Sequence, residues 1–233
     1  MFERVTWHSF CYKYDMDRAM TLFTSIFSNY STRTAAYSKD IDELKSEILR
    51  KSLHFLIALV PSMAAINKTA TVTILLIGTM GYALMEYLRL CGIRVPVISS
   101  ITSMASRPRD LGRFVMGPVT LGLGALLALL LYPSSAAAIA IYALAFGDGI
   151  ASLAGKFIGS WRPAILCGKS VEGSLACFIV VFFSAFVVSG SLHIAVVAAF
   201  TAMVVEALPL EDYDNLVIPI TVGLAVQFAA PAL

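Results

Sequence analysis

The sequence predicts an all-α, multi-pass membrane protein with about seven transmembrane helices. Of its 233 residues, 58% are hydrophobic and only 14% are charged, whereas roughly a quarter of an average soluble domain is charged. The mean hydropathy is +0.81. The apolar residues form continuous runs without in-and-out alternation, which favours helices over strands. These observations exclude a soluble enzyme, a disordered chain and a basic nucleic-acid-binding domain, and no nucleic acid partner is expected.

Residues 1–44 are predicted to be a cytoplasmic tail. They hold scattered charges, many Ser and Thr residues and no long apolar run, and no charged segment leads into an apolar stretch as in a signal peptide. The stretch from Met20 to Phe27 is amphipathic enough to lie at a membrane surface, although a loosely ordered tail fits the composition equally well. Residues 45–233 are predicted to form a membrane-embedded domain.

Seven apolar segments follow the tail, and each approaches the ~20 residues that a helix needs to cross hydrocarbon, some with the help of flanking residues. Short polar joints link the first segment to the second, the third to the fourth and the fifth to the sixth, which predicts antiparallel helix pairs. The segments are Leu53–Ile66, Ala70–Leu88, Phe114–Tyr132, Ala136–Ile158, Leu175–Val188, Leu192–Leu208 and Leu216–Leu233.

The placement of basic residues predicts the orientation, because Lys and Arg near the ends of spans favour the cytoplasm. With the N-terminus inside and the C-terminus outside, every one of the 17 basic residues except Lys68 is cytoplasmic. The 15 acidic residues lie on the same side or just inside the cytoplasmic end of a span. The functional site is therefore expected to face the cytoplasm.

Four ionisable residues fall within or at the edge of the predicted spans: His54, Glu86, Asp148 and Glu206. Such a group costs roughly 2.5–3.5 kcal/mol on insertion scales and is a functional-site candidate by default. All four lie at the predicted cytoplasmic ends of their helices, which again places the working site at that face.

The end of the fourth segment carries the most specific motif. Gly147, Ala151, Gly155 and Gly159 recur on one helical face, and close helix packing alone explains these small residues. Asp148 lies on the same helix, and a carboxylate at this depth is costly unless it is paired or bound to a cation. Asp148 is therefore the leading candidate for a metal ligand.

A basic turn precedes the fifth segment. It contains Arg162 and then Lys169-Ser170-Val171-Glu172-Gly173. Ser170 is a candidate helix cap, and Glu172 in the first turn would interact with the helix dipole. Lys169 beside glycines and a helix N-terminus is suited to bind a phosphate group.

An acidic segment lies between the last two spans. It contains Glu206, Glu211, Asp212, Asp214 and Asn215. Clustered carboxylates suit Mg²⁺, which binds through few protein carboxylates together with substrate phosphates. A solvated acidic loop explains Glu211 and Asp212 equally well, whereas Glu206, Asp214 and Asn215 lie at predicted helix ends.

A charged helical face enters the first span. Glu47, Arg50, Lys51 and His54 are spaced by three, four and seven positions and share one face of a helix. Lys51 is interpreted as a positive-inside anchor. His54 lies one turn into the span and is a candidate site residue.

These four groups, in this order, resemble the CTP-dependent lipid kinases (dolichol kinase, phytol kinase and CTP-dependent diacylglycerol kinase), within the wider membrane CTP-transferase superfamily. The resemblance covers about residues 45–220. The residues that carry it are Glu47-x-x-Arg50-Lys51-x-x-His54, Asp148-x-x-Ala151-x-x-x-Gly155-x-x-x-Gly159, Lys169-Ser170-x-Glu172-Gly173, and Glu206 with Asp214-Asn215-x-x-x-Pro219.

The resemblance implies transfer of the γ-phosphate of CTP to a membrane lipid alcohol, with Mg²⁺, at the cytoplasmic face. It implies Asp148, Glu206 and Asp214 as metal ligands. It implies that nucleotide and phosphate are bound by Arg50, Gly155, Gly159, Arg162, Lys169, Ser170, Gly173 and Asn215. It implies catalytic roles for Asp148, Lys169, Glu172 and His54. Either a carboxylate or His54 could be the general base. The acceptor could be polyprenol, a phytol-like prenol or diacylglycerol, and the sequence predicts no particular oligomeric state.

Two alternatives remain at this stage. Phosphatidate cytidylyltransferase shares the signature from Asp148 to Gly173, but its usual Gly-rich, Asp-containing C-terminal signature is not found here. A small transporter is the alternative of another class, although ionisable groups avoid the midplane and no internal repeat is evident. The chain also departs from the lipid kinases, since Arg162 and Gly168-Lys169-Ser170 stand where a basic residue and a Lys-Lys-Thr run are frequent.

Overall fold

The computed structural model describes residues 47–48, 50–93, 112–210 and 212–229, which belong to one compact unit. Every regular element in these ranges is a helix, which confirms the prediction of an all-helical chain. The predicted tail of residues 1–44, the residues 94–111 and Glu211 lie outside the described residues.

Nine helical segments make up the described ranges. They are α1 (residues 47–48 and 50–57), α2 (Val60–Ile66), α3 (Lys68–Leu90), α4 (Gly117–Leu131), α5 (Ser134–Tyr142), α6 (Gly149–Phe157), α7 (Val171–Ser189), α8 (Leu192–Ala207) and α9 (Asp214–Ala229). A π-helical turn, Ala143–Asp148, joins α5 to α6 without a break, and a short 3₁₀ turn, Ala164–Leu166, precedes α7.

Each of the seven predicted apolar segments is helical within the described residues, and most helix ends differ by a few residues from the predicted ones. Residues 230–233 of the last predicted segment lie outside the described residues. The first is divided, because the helix turns at residues 58–59 and begins again at α2 with Pro61 in its first turn. Proline is favoured there since its missing N–H would have no helical partner. Asn67 caps α3 by accepting a hydrogen bond from the Ala70 amide at 3.0 Å.

Among the described residues, three helical stretches are long and apolar enough to cross a membrane: α3, the continuous helix Ser134–Phe157, and α7. Shorter apolar helices, α4, α8 and α9, accompany them. Large apolar side chains such as Ile77, Phe183 and Val187 are exposed on α3 and α7, as expected of surfaces that contact lipid. These features indicate a membrane protein.

The helix Ser134–Phe157 lies at the centre of the bundle. In its most apolar stretch 67% of the residues are buried, compared with 17% in α3 and 28% in α7. It packs against α4, α7, α8 and α9. Half of its buried residues are alanine, and α8 contributes further buried alanines, so the backbones approach closely.

The π-helical turn in the central helix ends at Asp148. Short π segments inside α-helices are frequent at functional sites. The extra residue per turn changes which face of the helix continues into α6. Asp148 is thus buried at the junction between α5 and α6.

Candidate functional site

A cavity of about 370 Å³ lies at the Asp148 end of the central helix. Eight of the residues predicted as site residues line it: Asp148, Gly155, Arg162, Lys169, Ser170, Gly173, Glu206 and Asp214. They come from α6 and the turn before it, from the basic turn and the start of α7, and from the ends of α8 and α9. Three of the four predicted groups therefore meet at one cavity.

Asp148 is 4% exposed and has two partners from α1. The Lys51 ammonium donates a hydrogen bond to Asp148 Oδ2 at 2.5 Å, and His54 Nδ1 lies 3.0 Å from the same oxygen. A buried carboxylate requires such compensation, because desolvating an unpaired charge costs several kcal/mol. The fourth predicted group, on α1, thus reaches the site through Lys51 and His54.

The position of Lys51 does not agree with its predicted role as a membrane anchor. An anchoring lysine extends into the headgroup region and stays exposed, whereas Lys51 is 4% exposed and lines the cavity. The signal for this was present in the spacing, because Lys51 and His54 are three positions apart on one helix face. His54 itself is buried behind Asp148 and is not among the residues that line the cavity.

Glu206 and Lys169 form a second ion pair across the cavity. The Lys169 ammonium lies 3.1 Å from Glu206 Oε1 and also donates to the Glu206 backbone carbonyl. The Ser174 hydroxyl donates to the other carboxylate oxygen at 3.3 Å. This pair joins the start of α7 to the end of α8.

Glu47 connects α1 to α6 beside the cavity. Its carboxylate accepts hydrogen bonds from Arg50 and from the Ser152 hydroxyl at 2.8 Å, and Lys156 Nζ lies 3.3 Å away. Burial raises the pKa of this carboxyl, but the positive charges of Arg50 and Lys51 and the other two contacts outweigh burial and hold the pKa below its ordinary value. Arg50, predicted to bind phosphate, is directed to Glu47 and does not line the cavity.

Ser152 and Lys156 line the cavity, although they were not among the predicted site residues. They follow Asp148 by four and eight positions, so one face of α6 presents all three side chains. This spacing was readable in the sequence. The small residues at neighbouring positions indicated a helix-packing face, and Ser152 and Lys156 were therefore not predicted as part of the site.

The glycines of the motif hold α6 against α7. A Cβ placed on Gly173 would lie 2.7 Å from the Ala151 carbonyl oxygen, and one on Gly159 would lie 2.5 Å from the Ser170 hydroxyl. Such distances are far inside van der Waals contact, so these positions require glycine. Gly155 and Gly173 combine this packing with a place in the cavity wall, whereas Gly159 is placed outside the wall.

Glu172 organises the basic turn. Its carboxylate accepts hydrogen bonds from the Ser160 amide at 2.9 Å, the Ser160 hydroxyl at 2.6 Å and the Trp161 amide at 3.0 Å. Arg162 completes the turn by donating to the carbonyls of Gly155 and Gly168 at 2.8 and 3.0 Å. Glu172 thus lies outside the cavity and shapes the turn that carries Arg162 and Lys169.

Asn215 and Glu86 are both buried, and neither lines the cavity. The Asn215 amide donates to the Thr120 hydroxyl at 3.1 Å and so joins α9 to α4. The Glu86 carboxylate accepts hydrogen bonds from Arg89 at 2.7 and 2.8 Å and from the Val115 amide at 2.9 Å. These contacts tie the end of α3 to the segment before α4.

A second cavity of about 390 Å³ lies at the opposite end of the central helix. Its lining includes Ser134, Ser135, Tyr142 and Lys68, and it contains none of the predicted site residues. Ser134 and Asp148 are roughly 20 Å apart along the axis at ~1.5 Å per residue. The charged cavity is therefore confined to one end of the bundle.

The charged cavity contains oxygen donors that bear on metal binding. Within the described ranges, no group of three or more His, Cys, Asp and Glu side chains is arranged to hold a metal. Three carboxylates nevertheless line the cavity, from Asp148, Glu206 and Asp214. Hard oxygen donors of this kind fit Mg²⁺ when one or two carboxylates share the ion with phosphate oxygens and water.

Comparison of the chain with protein-family models, with curated proteins and with solved structures finds no match.

Proposed function

We propose that this protein is a CTP-dependent lipid kinase that transfers the γ-phosphate of CTP to the hydroxyl of a membrane lipid alcohol. The observation that carries the proposal is the cavity of about 370 Å³ in which Asp148, Lys169 and Asp214 meet at one end of a bundle of apolar helices. Its lining holds both the carboxylates that suit Mg²⁺ and the basic groups that suit a triphosphate.

Phosphoryl transfer depends on positioning and charge neutralisation more than on covalent chemistry. Lys169 and the turn held by Arg162 would bind the phosphate chain. Asp148 and Asp214, with Glu206 beside Lys169, would hold Mg²⁺, which when bound neutralises the charge on the phosphate oxygens. His54 lies behind Asp148, so a carboxylate of the cavity wall is better placed than His54 to accept the proton of the alcohol.

The membrane arrangement supports a lipid acceptor. We propose seven spans with the N-terminus in the cytoplasm, which would put the charged cavity at the cytoplasmic face, where CTP is available. The acceptor would keep its apolar chain between the helices and bring its hydroxyl to the interface. Polyprenol, a phytol-like prenol and diacylglycerol all meet this requirement.

The experiment uses purified full-length protein in detergent micelles, Mg²⁺, and CTP labelled at either the α- or the γ-phosphate, with a panel of the three acceptor lipids and phosphatidate. Transfer of γ-label to a lipid alcohol supports the proposal. Transfer of α-label to phosphatidate would instead identify a cytidylyltransferase. Transfer of neither label, from protein that is folded and monodisperse, would overturn the kinase proposal and leave transport as the next function to assay.

A further inference from the structure

Two lysine–carboxylate pairs line the charged cavity. Lys51 contacts Asp148 at 2.5 Å, and Lys169 lies 3.1 Å from Glu206. Four basic side chains and three carboxylates line this cavity in all. The two pairs compensate much of this charge within the protein, so a ligand that binds to Asp148, Glu206, Lys51 or Lys169 would have to displace an existing partner.

The Lys51–Asp148 pair competes directly with a cation for the same oxygen. Magnesium binds carboxylate oxygens at ~2.0–2.1 Å, and an ammonium at 2.5 Å from Asp148 Oδ2 would repel a cation at that oxygen. Asp148 Oδ2 can therefore bind a metal ion only when the Lys51 ammonium moves away. Lysine is suited to such a movement because its ammonium is a compact charge on a flexible four-carbon stem.

We propose that Lys51 and Lys169 exchange partners when a metal–nucleotide binds, releasing Asp148 and Glu206 to the cation and turning to the phosphate oxygens. The inference rests on the proposed function for the identity of the nucleotide. It assigns to Lys51 a phosphate-binding role in place of an anchoring one. The bound metal–triphosphate is itself an ion pair, so the exchange keeps every charge compensated.

A matched control exists in Lys156. This lysine also lines the cavity, but its carboxylate partner, Glu47 at 3.3 Å, does not. Removal of the Lys156 charge should therefore release no carboxylate to the cavity, whereas removal of the Lys51 charge should release Asp148. Both substitutions delete a lysine charge from the same cavity. They differ in the carboxylate partner, and Lys156 is also more exposed than Lys51.

The experiment measures two affinities for full-length protein: Mn²⁺ alone, by electron paramagnetic resonance of the free ion, and CTP with Mg²⁺, by calorimetry. For Lys51→Met we expect Mn²⁺ affinity to rise about tenfold or more, because its competitor at Asp148 is gone, and CTP affinity to fall about tenfold or more, since a charge-assisted contact to phosphate is lost. Lys156→Met should leave Mn²⁺ affinity within about twofold of the wild type.

If Lys51 had a merely structural role, its substitution would not change the affinities for Mn²⁺ and for CTP in opposite directions. Unchanged or weaker Mn²⁺ binding by folded Lys51→Met would overturn the exchange. If Lys51→Met does not fold, Lys169→Met tests the same exchange, because it removes the lysine partner of Glu206. A protein that phosphorylates no lipid but shows the Mn²⁺ gain would overturn the proposed function and keep the lysine–cation competition. A lipid kinase without that gain would overturn the inference alone.

Discussion

At the scale of single residues, Asp148 is the group on which the site depends. It is buried, it contacts two residues of α1, and it lines the cavity together with two other carboxylates. Asp148→Asn keeps the shape of the side chain but removes the charge that Lys51 and a cation both require. We expect kinase activity to fall by about 100-fold or more, as for the loss of one preorganised electrostatic group, in the γ-label transfer assay.

The control for this substitution is Glu86→Gln. Glu86 is an equally buried carboxylate that does not line the cavity, and it accepts hydrogen bonds from Arg89 and from the Val115 amide. Its loss should lower thermal stability, since a buried charged hydrogen bond is broken, while the activity of the folded fraction stays within about threefold of the wild type. Equal losses of specific activity in the two variants would contradict the special role of Asp148.

Glu47 gives a prediction on pH. Its pKa is held below the ordinary value of 4.5 in the folded protein, so its contacts contribute stability above that pH. The contribution is lost as the pH falls through the lowered pKa. We expect Glu47→Gln to lower the unfolding temperature at pH 7 by several degrees, with a difference from the wild type that shrinks as the pH falls below 4.5. Scanning calorimetry of both proteins in one detergent checks this, and a constant difference would contradict it.

At the scale of elements, the sequence predicted the helices and the short joints that link them in pairs, but not the interruptions within two of the helical segments. Apolar runs of near-spanning length have few alternatives to helix in hydrocarbon, which is why Ala136–Ile158 and Ser134–Phe157 nearly coincide. The turn at residues 58–59 and the π-helical turn Ala143–Asp148 depend on packing between helices. Pro61 is a sequence signal for the first of these, since proline favours the first turn of a helix, whereas the apolar run around residues 143–148 carries none for the second.

The partners of site residues were the least predictable feature. The sequence shows Lys51 and Asp148 as charged residues 97 positions apart, and only the packing of α1 against the central helix brings them together. Residues on one helix were easier, because spacing alone puts Asp148, Ser152 and Lys156 on one face. Motifs and spacing thus predicted many of the residues that line the cavity, but not the residues on other helices with which they pair.

The basic turn before α7 supports a prediction of its own. Glu172 accepts three hydrogen bonds from Ser160 and Trp161 and so holds the turn that carries Arg162 and Lys169. Glu172→Ala should raise the KM for CTP about tenfold and change kcat less, because the phosphate-binding groups lose their positioning while Asp148 is untouched. Steady-state kinetics with varied CTP measures this, and Glu172→Gln, which keeps one carbonyl acceptor, should recover part of the affinity. A KM equal to that of the wild type in Glu172→Ala would show that the turn is held by other contacts.

At the scale of the whole molecule, the charged side chains that line cavities of the described bundle lie mostly at one end of it. The charged cavity lies at the Asp148 end of the central helix, and Lys68 lies with the second cavity at the Ser134 end. A bilayer that surrounds the bundle would therefore separate the two cavities. The proposed orientation requires the charged cavity on the cytoplasmic side, because CTP and Mg²⁺ are supplied from there.

Two cysteine positions make this orientation measurable. Cys167 is exposed and lines the charged cavity, and Lys68 is exposed at the start of α3. In one variant Cys11 and Cys91 are replaced by serine, so that Cys167 is the accessible thiol beside the buried Cys177. In a second, Cys167 is also replaced by serine and Lys68→Cys is introduced.

A membrane-impermeant maleimide should then label Cys167 only in inside-out vesicles, and the cysteine at position 68 only in right-side-out vesicles. The reagent must cross hydrocarbon to reach either thiol from the wrong side, which its charge prevents. CTP with Mg²⁺ should slow labelling of Cys167, since the bound nucleotide would occupy the cavity beside it, and should leave labelling at position 68 unchanged. Labelling of both thiols from the same side would rule out the proposed topology, and labelling with the sides reversed would place the charged cavity outside, away from its nucleotide.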